Sequence, residues 1–223
     1  GVGAGDYLFE DGWWFRVSGD TQESFFPAPT TTTPAGNTGT VTWTDVNARG
    51  LFDATNTLTL TSTTAGTGRL VLTMSITNLS AATPLTMSLF HGADFDVNGT
   101  AGTDSATLLT PNTHIRIQDA TAGFAEYKAL NPDATAYLVK PFAATTDVFA
   151  ALGDTAVTNF DNTGLPFTSA DFTGAFQWDL VIPAGGTRSV SVELAGNVAL
   201  PLSTPGLPIN DVTVDEGDTG TTE

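Results

Sequence analysis

Cysteine is absent from the 223 residues, which excludes disulfides, thiolate metal sites and cysteine nucleophiles. Basic residues are nearly as scarce. Lys128, Lys140 and five arginines stand against 24 aspartates and glutamates, a formal net charge of −17. The acidic count is ordinary for this length, so the chain is short of bases rather than flooded with acids. Nucleic acid and anionic membrane surfaces are bound through clustered Lys and Arg, so neither is an expected partner. No apolar run approaches the ~18 residues that span a bilayer, and no membrane insertion is expected. Glutamate is rare: Glu10, Glu23, Glu126 and Glu193 are the only ones before residue 200. That leaves little for the paired carboxylates of glycoside hydrolysis. There is no G-x-S-x-G elbow, no phosphate-binding loop and no dinucleotide fingerprint. The two histidines, His91 and His114, stand beside no marked nucleophile. The expectation is a protein that is not an enzyme. The chain opens at Gly1 without Met and reads as a mature product whose signal has been removed, hence secreted to the extracellular cell surface.

What is abundant is Thr, Gly, Ala, Asp and Asn, a composition suited to strands and turns and poor for helices. Residues 69–77 alternate cleanly, with Leu70, Leu72, Met74 and Ile76 on one face and Val71, Thr73, Ser75 and Thr77 on the other. This is the period of a half-buried strand. Leu85, Met87 and Leu89 repeat it after a turn. Phe176, Trp178, Leu180 and Ile182 alternate in the same way, and PAGGT then leads to Val190, Val192 and Leu194. That pair reads as a hairpin. Ten to a dozen strands at regular spacing predict an all-β fold, an antiparallel β-sandwich or jelly-roll-like domain over residues 1–200. One short helix is expected near 146–152, with a Thr cap and Gly153 as its stop. Residues 27–39, rich in Pro, Thr and Gly, read as a loop.

The strongest chemical motif is Asp94-Phe-Asp96-Val-Asn98-Gly99, with Asp104 further on. Ca²⁺ takes several oxygen ligands from a tight loop, with alternate Asp and Asn side chains pointing inward and glycine permitting the turn. Asp94, Asp96, Asn98 and Asp104 are therefore the predicted metal ligands and Ca²⁺ the predicted cofactor. A second acidic set, Asn159, Asp161 and Asn162 with Asp171, has looser spacing and reads as turn chemistry. In the first strand Trp13 and Phe15 fall on one side and Trp14 on the other. This predicts either a strand buried on both faces or a strand that packs on a neighbouring subunit.

Residues 201–223 begin as a Pro-rich linker. Val212 and Val214 then run into Glu216-Gly217-Asp218-Thr-Gly220-Thr221, and residues 209–223 resemble the opening strand of a Calx-beta domain. The resemblance implies an extracellular β domain and calcium at acidic loop ends, here Glu216 and Asp218. Together these features predict a structural subunit of an extracellular assembly (a filament, sheath, surface layer or adhesin). It would be joined to copies of itself by strand exchange, with Trp13, Trp14, Phe15, Val212 and Val214 at the subunit interface. The alternative is a calcium-dependent carbohydrate-binding module that recognises cell-surface polysaccharide through Trp13, Trp14, Trp43 or Tyr127.

Overall fold

The computed structural model describes residues 7–61 and 64–202. Val212, Val214 and the Calx-beta-like segment lie outside them. The strands are β1 (Glu10–Val17), β2 (Ser24–Phe25), β3 (Thr31–Ala35), β4 (Thr38–Trp43), β5 (Phe52–Thr61), β6 (Gly68–Asn78) and β7 (Leu85–Phe95). They continue with β8 (Asp104–Thr110), β9 (His114–Asp119), β10 (Phe124–Leu130), β11 (Ala136–Pro141), β12 (Phe167–Ala170), β13 (Phe172–Ile182) and β14 (Thr187–Gly196). The five-stranded sheet runs β11-β13-β7-β1-β2 and the nine-stranded sheet β12-β8-β9-β10-β14-β6-β5-β4-β3. Every pairing between these strands is antiparallel, so the predicted all-β sandwich is the fold.

The inner faces of both sheets supply the core. Phe15, Leu89, Phe95, Phe176 and Trp178 come from the smaller sheet, and Phe52, Leu72, Met74, Ile76, Tyr127 and Val192 from the larger. The outer face of β6 and β14 carries the Thr and Ser that the alternation assigns to solvent. Thr73–Ser191, Ser75–Ser189 and Thr77–Thr187 pair across the strands at 2.8–2.9 Å.

The expected hairpin is a different structure. β13 belongs to the smaller sheet and β14 to the larger, so PAGGT arches over the end of the sandwich instead of reversing the chain within one sheet. The turn between β6 and β7 does the same beside it, because β6 pairs with β14 and β7 with β13. Period-2 alternation is identical for a hairpin and an arch. Only the choice of hydrogen-bond partner separates them. The Asn78 side chain secures the crossing by donating to the carbonyls of Thr83, Ile182 and Pro183.

The smaller sheet also has a second core on its outer face. Trp14, Phe90, Leu138 and Ala175 pack there against Val148 and Leu152 of α1 (Val148–Gly153) and against Phe160. The predicted helix is present, but its cap is Asp147, whose carboxylate accepts from the Ala150 amide at 2.7 Å. A carboxylate at this position also suits the helix dipole. Beyond α1 the chain covers the free edge of β11: Val139 N–H donates to Thr163 O at 3.1 Å and Asn162 N–H to Tyr137 O at 3.0 Å. Gly164 makes this approach possible. Its φ is +97, and a Cβ there would lie 1.9 Å from Val139 O, a position open to glycine alone. Part of the stretch expected as a loop, 27–39, is strand: β3 and the start of β4.

Candidate metal centre

The acidic motif begins inside a strand. β7 runs on to Phe95, and Asp94 is flanked by Glu10 on β1 and Thr173 on β13. Asp96 follows as the chain leaves the sheet. A 3-10 turn, Val97–Gly99, then reverses it, with Asn98 at φ 63. The chain enters the larger sheet at Asp104, the first residue of β8. Asp171 sits between Ala170, the last residue of β12, and Phe172, the first of β13. It therefore lies where the chain passes from the larger sheet to the smaller one. The register Phe95↔Phe172 brings the two sheet-crossing segments together.

Asp94, Asp96 and Asp171 each offer a carboxylate oxygen, and these atoms all lie within 4.8 Å of one another. The three can hold a metal ion. Asp94 Oδ1, Asp171 Oδ1 and both oxygens of Asp104 are buried without a hydrogen-bond partner. A buried carboxylate left so is costly unless it protonates or finds a cation. Burial raises the Asp94 pKa to about 7, reinforced by Asp171, Asp96, Glu10 and Asp147. Burial likewise raises Asp104 to about 7, with Asp119, Asp96 and Asp171 adding to it and the Val97 amide offsetting part. Asp171 is raised by burial and by Asp96. These carboxylates raise one another by mutual repulsion. A divalent ion relieves that repulsion and the missing partners together.

Asp119, at the end of β9, holds the loop closed from behind. It accepts from the hydroxyls of Thr100, Thr103 and Thr121 and from the amides of Thr121 and Ala122. These donors, led by the Thr121 hydroxyl, keep its carboxyl well below the usual range. It is a loop clamp with its oxygens satisfied, unlike Asp94, Asp104 and Asp171, which keep buried oxygens without a partner.

Of the predicted ligands, Asp94 and Asp96 are brought together and Asp104 is buried beside them. Asn98 is exposed, at φ 63, a left-handed turn that Asn tolerates. Asp171, which the motif does not include, joins Asp94 and Asp96. The sequence carries one signal for this: Ala93-Asp94-Phe95 recurs as Ala170-Asp171-Phe172, and the two copies lie side by side in the sheet. The rest of the second acidic set makes local bonds. Asn162 Oδ1 accepts from Tyr137 N–H, Asp161 from the Thr163 hydroxyl and Asn159 Oδ1 from Arg16.

Trp13 and Phe15 are buried in the inter-sheet core and Trp14 in the second core. β1 is hydrogen-bonded on both edges, to β7 and β2. As a result, these three side chains face their own chain rather than a neighbour. Tyr127 is fully buried as well, its hydroxyl donating to His91 O at 2.7 Å.

No protein-family model matches the chain, and no curated protein sequence matches it. Among solved structures it is similar to a polysaccharide lyase, with 12% identity and a TM-score of 0.49 over 86% of this chain and 26% of that one. It is also similar to a mutant of the heparan sulfate lyase HepC from Pedobacter heparinus, with 8% identity and a TM-score of 0.43 over 78% of this chain and 22% of that one. The chain spans about a quarter of the length of these structures, and likeness at this level speaks to neither activity nor substrate.

Proposed function

We propose that this chain is a non-catalytic, calcium-stabilised β-sandwich subunit of an extracellular assembly. The observation that carries the reading is the set of carboxylate oxygens of Asp94, Asp96 and Asp171 within 4.8 Å of one another, backed by the unpartnered Asp104. Ca²⁺ bonds oxygen at ~2.3–2.6 Å, so its ligands stand up to roughly 5 Å apart, whereas Mg²⁺ at ~2.0–2.1 Å draws them closer. A bound of 4.8 Å admits the larger ion. Backbone carbonyls and water complete such a shell. Modules that work outside cells bind Ca²⁺ at about 10⁻⁴–10⁻³ M, which matches a site partly open at the end of a sandwich. The ion would tie the end of β7 to the β12–β13 crossing and so lock one sheet onto the other.

Asp119 would act on this ion through the loop it clamps. Asp119→Ala is expected to weaken Ca²⁺ binding ~10-fold, as loss of an outer-shell partner typically does. Calorimetric titration of chelated protein checks it; an unchanged dissociation constant would show that the clamp is irrelevant to the ion.

Assembly with copies of itself rests on the sheet edges. β2 has two residues, β12 four with a register shift, and β11 is covered by residues 162–163. β3, five exposed residues at the end of the larger sheet, is the edge that can receive a strand. The donor proposed from sequence is residues 209–216. Sedimentation velocity in 1 mM Ca²⁺ tests the reading. The full chain should form concentration-dependent oligomers, and a chain lacking residues 205–223 should stay monomeric. A full chain that is monomeric at every concentration overturns the subunit reading. Unchanged assembly of the shortened chain overturns the donor role alone.

A further inference from the structure

In β10, Ala125, Tyr127 and Ala129 face the inter-sheet core. Alternation therefore sends Glu126 and Lys128 to the outer face of the larger sheet. On β9, His114 lies opposite Lys128 and Arg116 opposite Glu126. Charged side chains on an outer face belong in water, yet Glu126 and His114 are fully buried and Lys128 nearly so. The cover is the chain itself. After β14, residues 197–202 leave the ladder and run along β10. Asn197 starts them: its N–H donates to Phe124 O at 2.9 Å, and its Oδ1 accepts from Phe124 N–H at 3.1 Å. Leu200 N–H then donates to Glu126 Oε2 at 2.6 Å, and Lys128 Nζ donates to Pro201 O. The Leu200 side chain is buried as well.

We propose that residues 197–202 are an acid-released strap, latched by Glu126 and loosened when His114 takes up a proton. The Glu126 carboxylate is the centre of the fastening. Its Oε2 lies 2.9 Å from His114 Nε2 besides accepting from Leu200 N–H, and its Oε1 accepts from Arg116 Nε at 2.7 Å and from a second Arg116 N–H. His114 Nδ1 is buried with no partner, which fits a neutral ring with its one proton on Nε2. A second proton would bury an N–H that has no acceptor and set a charge beside Lys128 and Arg116. Burial lowers the His114 pKa from its ordinary value; hydrogen bonding and charge from Glu126 oppose this, and Lys128 and Arg116 add to it. The other groups on the neighbouring elements are Thr110 on β8, opposite His114, and Glu193 on β14, held by Arg69 of β6. The strap itself has no charged side chain. Lifting the strap returns His114 to water, where it titrates near ~6.5. The open form then binds more protons than the closed one, so the latch is fully present above that pH and is lost as pH falls below it. Residues 203–223 follow the strap in sequence, so the latch sets where that segment is tethered. The strap shares no residue with the acidic centre and does not depend on calcium.

The test uses the absence of cysteine, which makes any introduced thiol a unique probe. Leu200→Cys places one under the strap, and Leu202→Cys places one at an exposed position as the reference. Both are labelled with 4,4′-dithiodipyridine in EDTA, and the ratio of the two rates cancels the pH dependence of the thiol. From pH 7.5 to pH 5.0 the ratio should rise about tenfold or more. In a His114→Gln background it should stay within about twofold. Hydrogen exchange of β10 and β14 should remain protected at both pH values. In the wild type, NMR titration of the His114 ring should give a midpoint below ~6.5, a reading that stands even where His114→Gln does not fold. An unchanged ratio overturns the proposal, as does an equal rise in His114→Gln. So does a ring midpoint at or above that value, or loss of protection in β10 and β14 together with the strap, which would make the acid effect global unfolding. None of these failures bears on the response to Ca²⁺.

Discussion

Calcium is expected to raise the melting temperature of the chelated protein by roughly 5–10 °C. A ligand in hundredfold excess over its dissociation constant stabilises by ~2.7 kcal/mol, and each kcal/mol is worth ~2–4 °C in a chain of this size. The gain should depend on pH in an unusual direction. Asp94 and Asp104 have pKa values of about 7 in the folded chain, against ~3.9 when unfolded. Between these values the folded state binds more protons than the unfolded one, so stability falls as pH rises. Without metal, the contribution of these two groups is fully present below about pH 4 and is lost as pH climbs through 7. Asp20, lowered first by its bond to Arg49, and Asp119 run the other way; their contribution is lost as pH falls below the ordinary carboxylate range. Metal-free protein should therefore melt higher at pH 5 than at pH 8, and Ca²⁺ should close or reverse the gap. Asp171→Asn separates repulsion from binding. It should raise the metal-free melting temperature at pH 8 and remove the response to Ca²⁺. Calorimetric scans with EDTA and with ~10 mM Ca²⁺, a hundredfold excess over a dissociation constant of about 10⁻⁴ M, at the two pH values check all of this. A calcium response of equal size in wild type and Asp171→Asn would rule the site out.

Trp14→Ala is expected to cost ~3–5 kcal/mol, the range for emptying a large aromatic from a packed core. Trp14 is 7% exposed, its ring 4.8 Å from Phe25 and 5.6 Å from Phe149 between centroids. Phe149 belongs to α1, so the cavity would open beneath the helix and loosen the segment that covers the edge of β11. Protection of the α1 and Asn162–Thr163 amides from hydrogen exchange should fall with the global stability or below it. A Trp14 that faced a second subunit would behave differently. Its loss would leave the melting temperature of the isolated chain unchanged and abolish only association. Denaturant unfolding of the variant at low concentration, beside sedimentation at high concentration, separates the two.

Much of the acidic centre was legible in the order of residues. Asp94, Asp96 and Asp104 stand within one short stretch, and their oxygen-donor chemistry is readable without coordinates. Asp171 was not legible, because it lies 77 positions after Asp94 and its own neighbours look like a turn. Asn98 illustrates an ambiguity. It has the spacing of a ligand, and its left-handed turn is an equally good use of Asn. The buried pair Trp13 and Trp14 shows the same ambiguity. Aromatics on both faces of a strand mean that both faces are covered, but not by what.

Alternation along the chain determined by itself that this is a two-sided β structure. Which face of each strand is apolar depends only on side-chain transfer from water and on the period of two. Composition set with equal directness the expectation that polyanions are not its partners, since seven bases offer little from which to build a phosphate-binding face. Only the tertiary structure decided that β6–β7 and β13–β14 are arches between sheets. Backbone hydrogen bonds carry no side-chain label, and both connections satisfy the same alternation. The β7–β13 register that follows, with Phe95 opposite Phe172 at the far end of the same two strands, is what sets Asp171 beside Asp94, and with it the carboxylate repulsion that a cation would relieve.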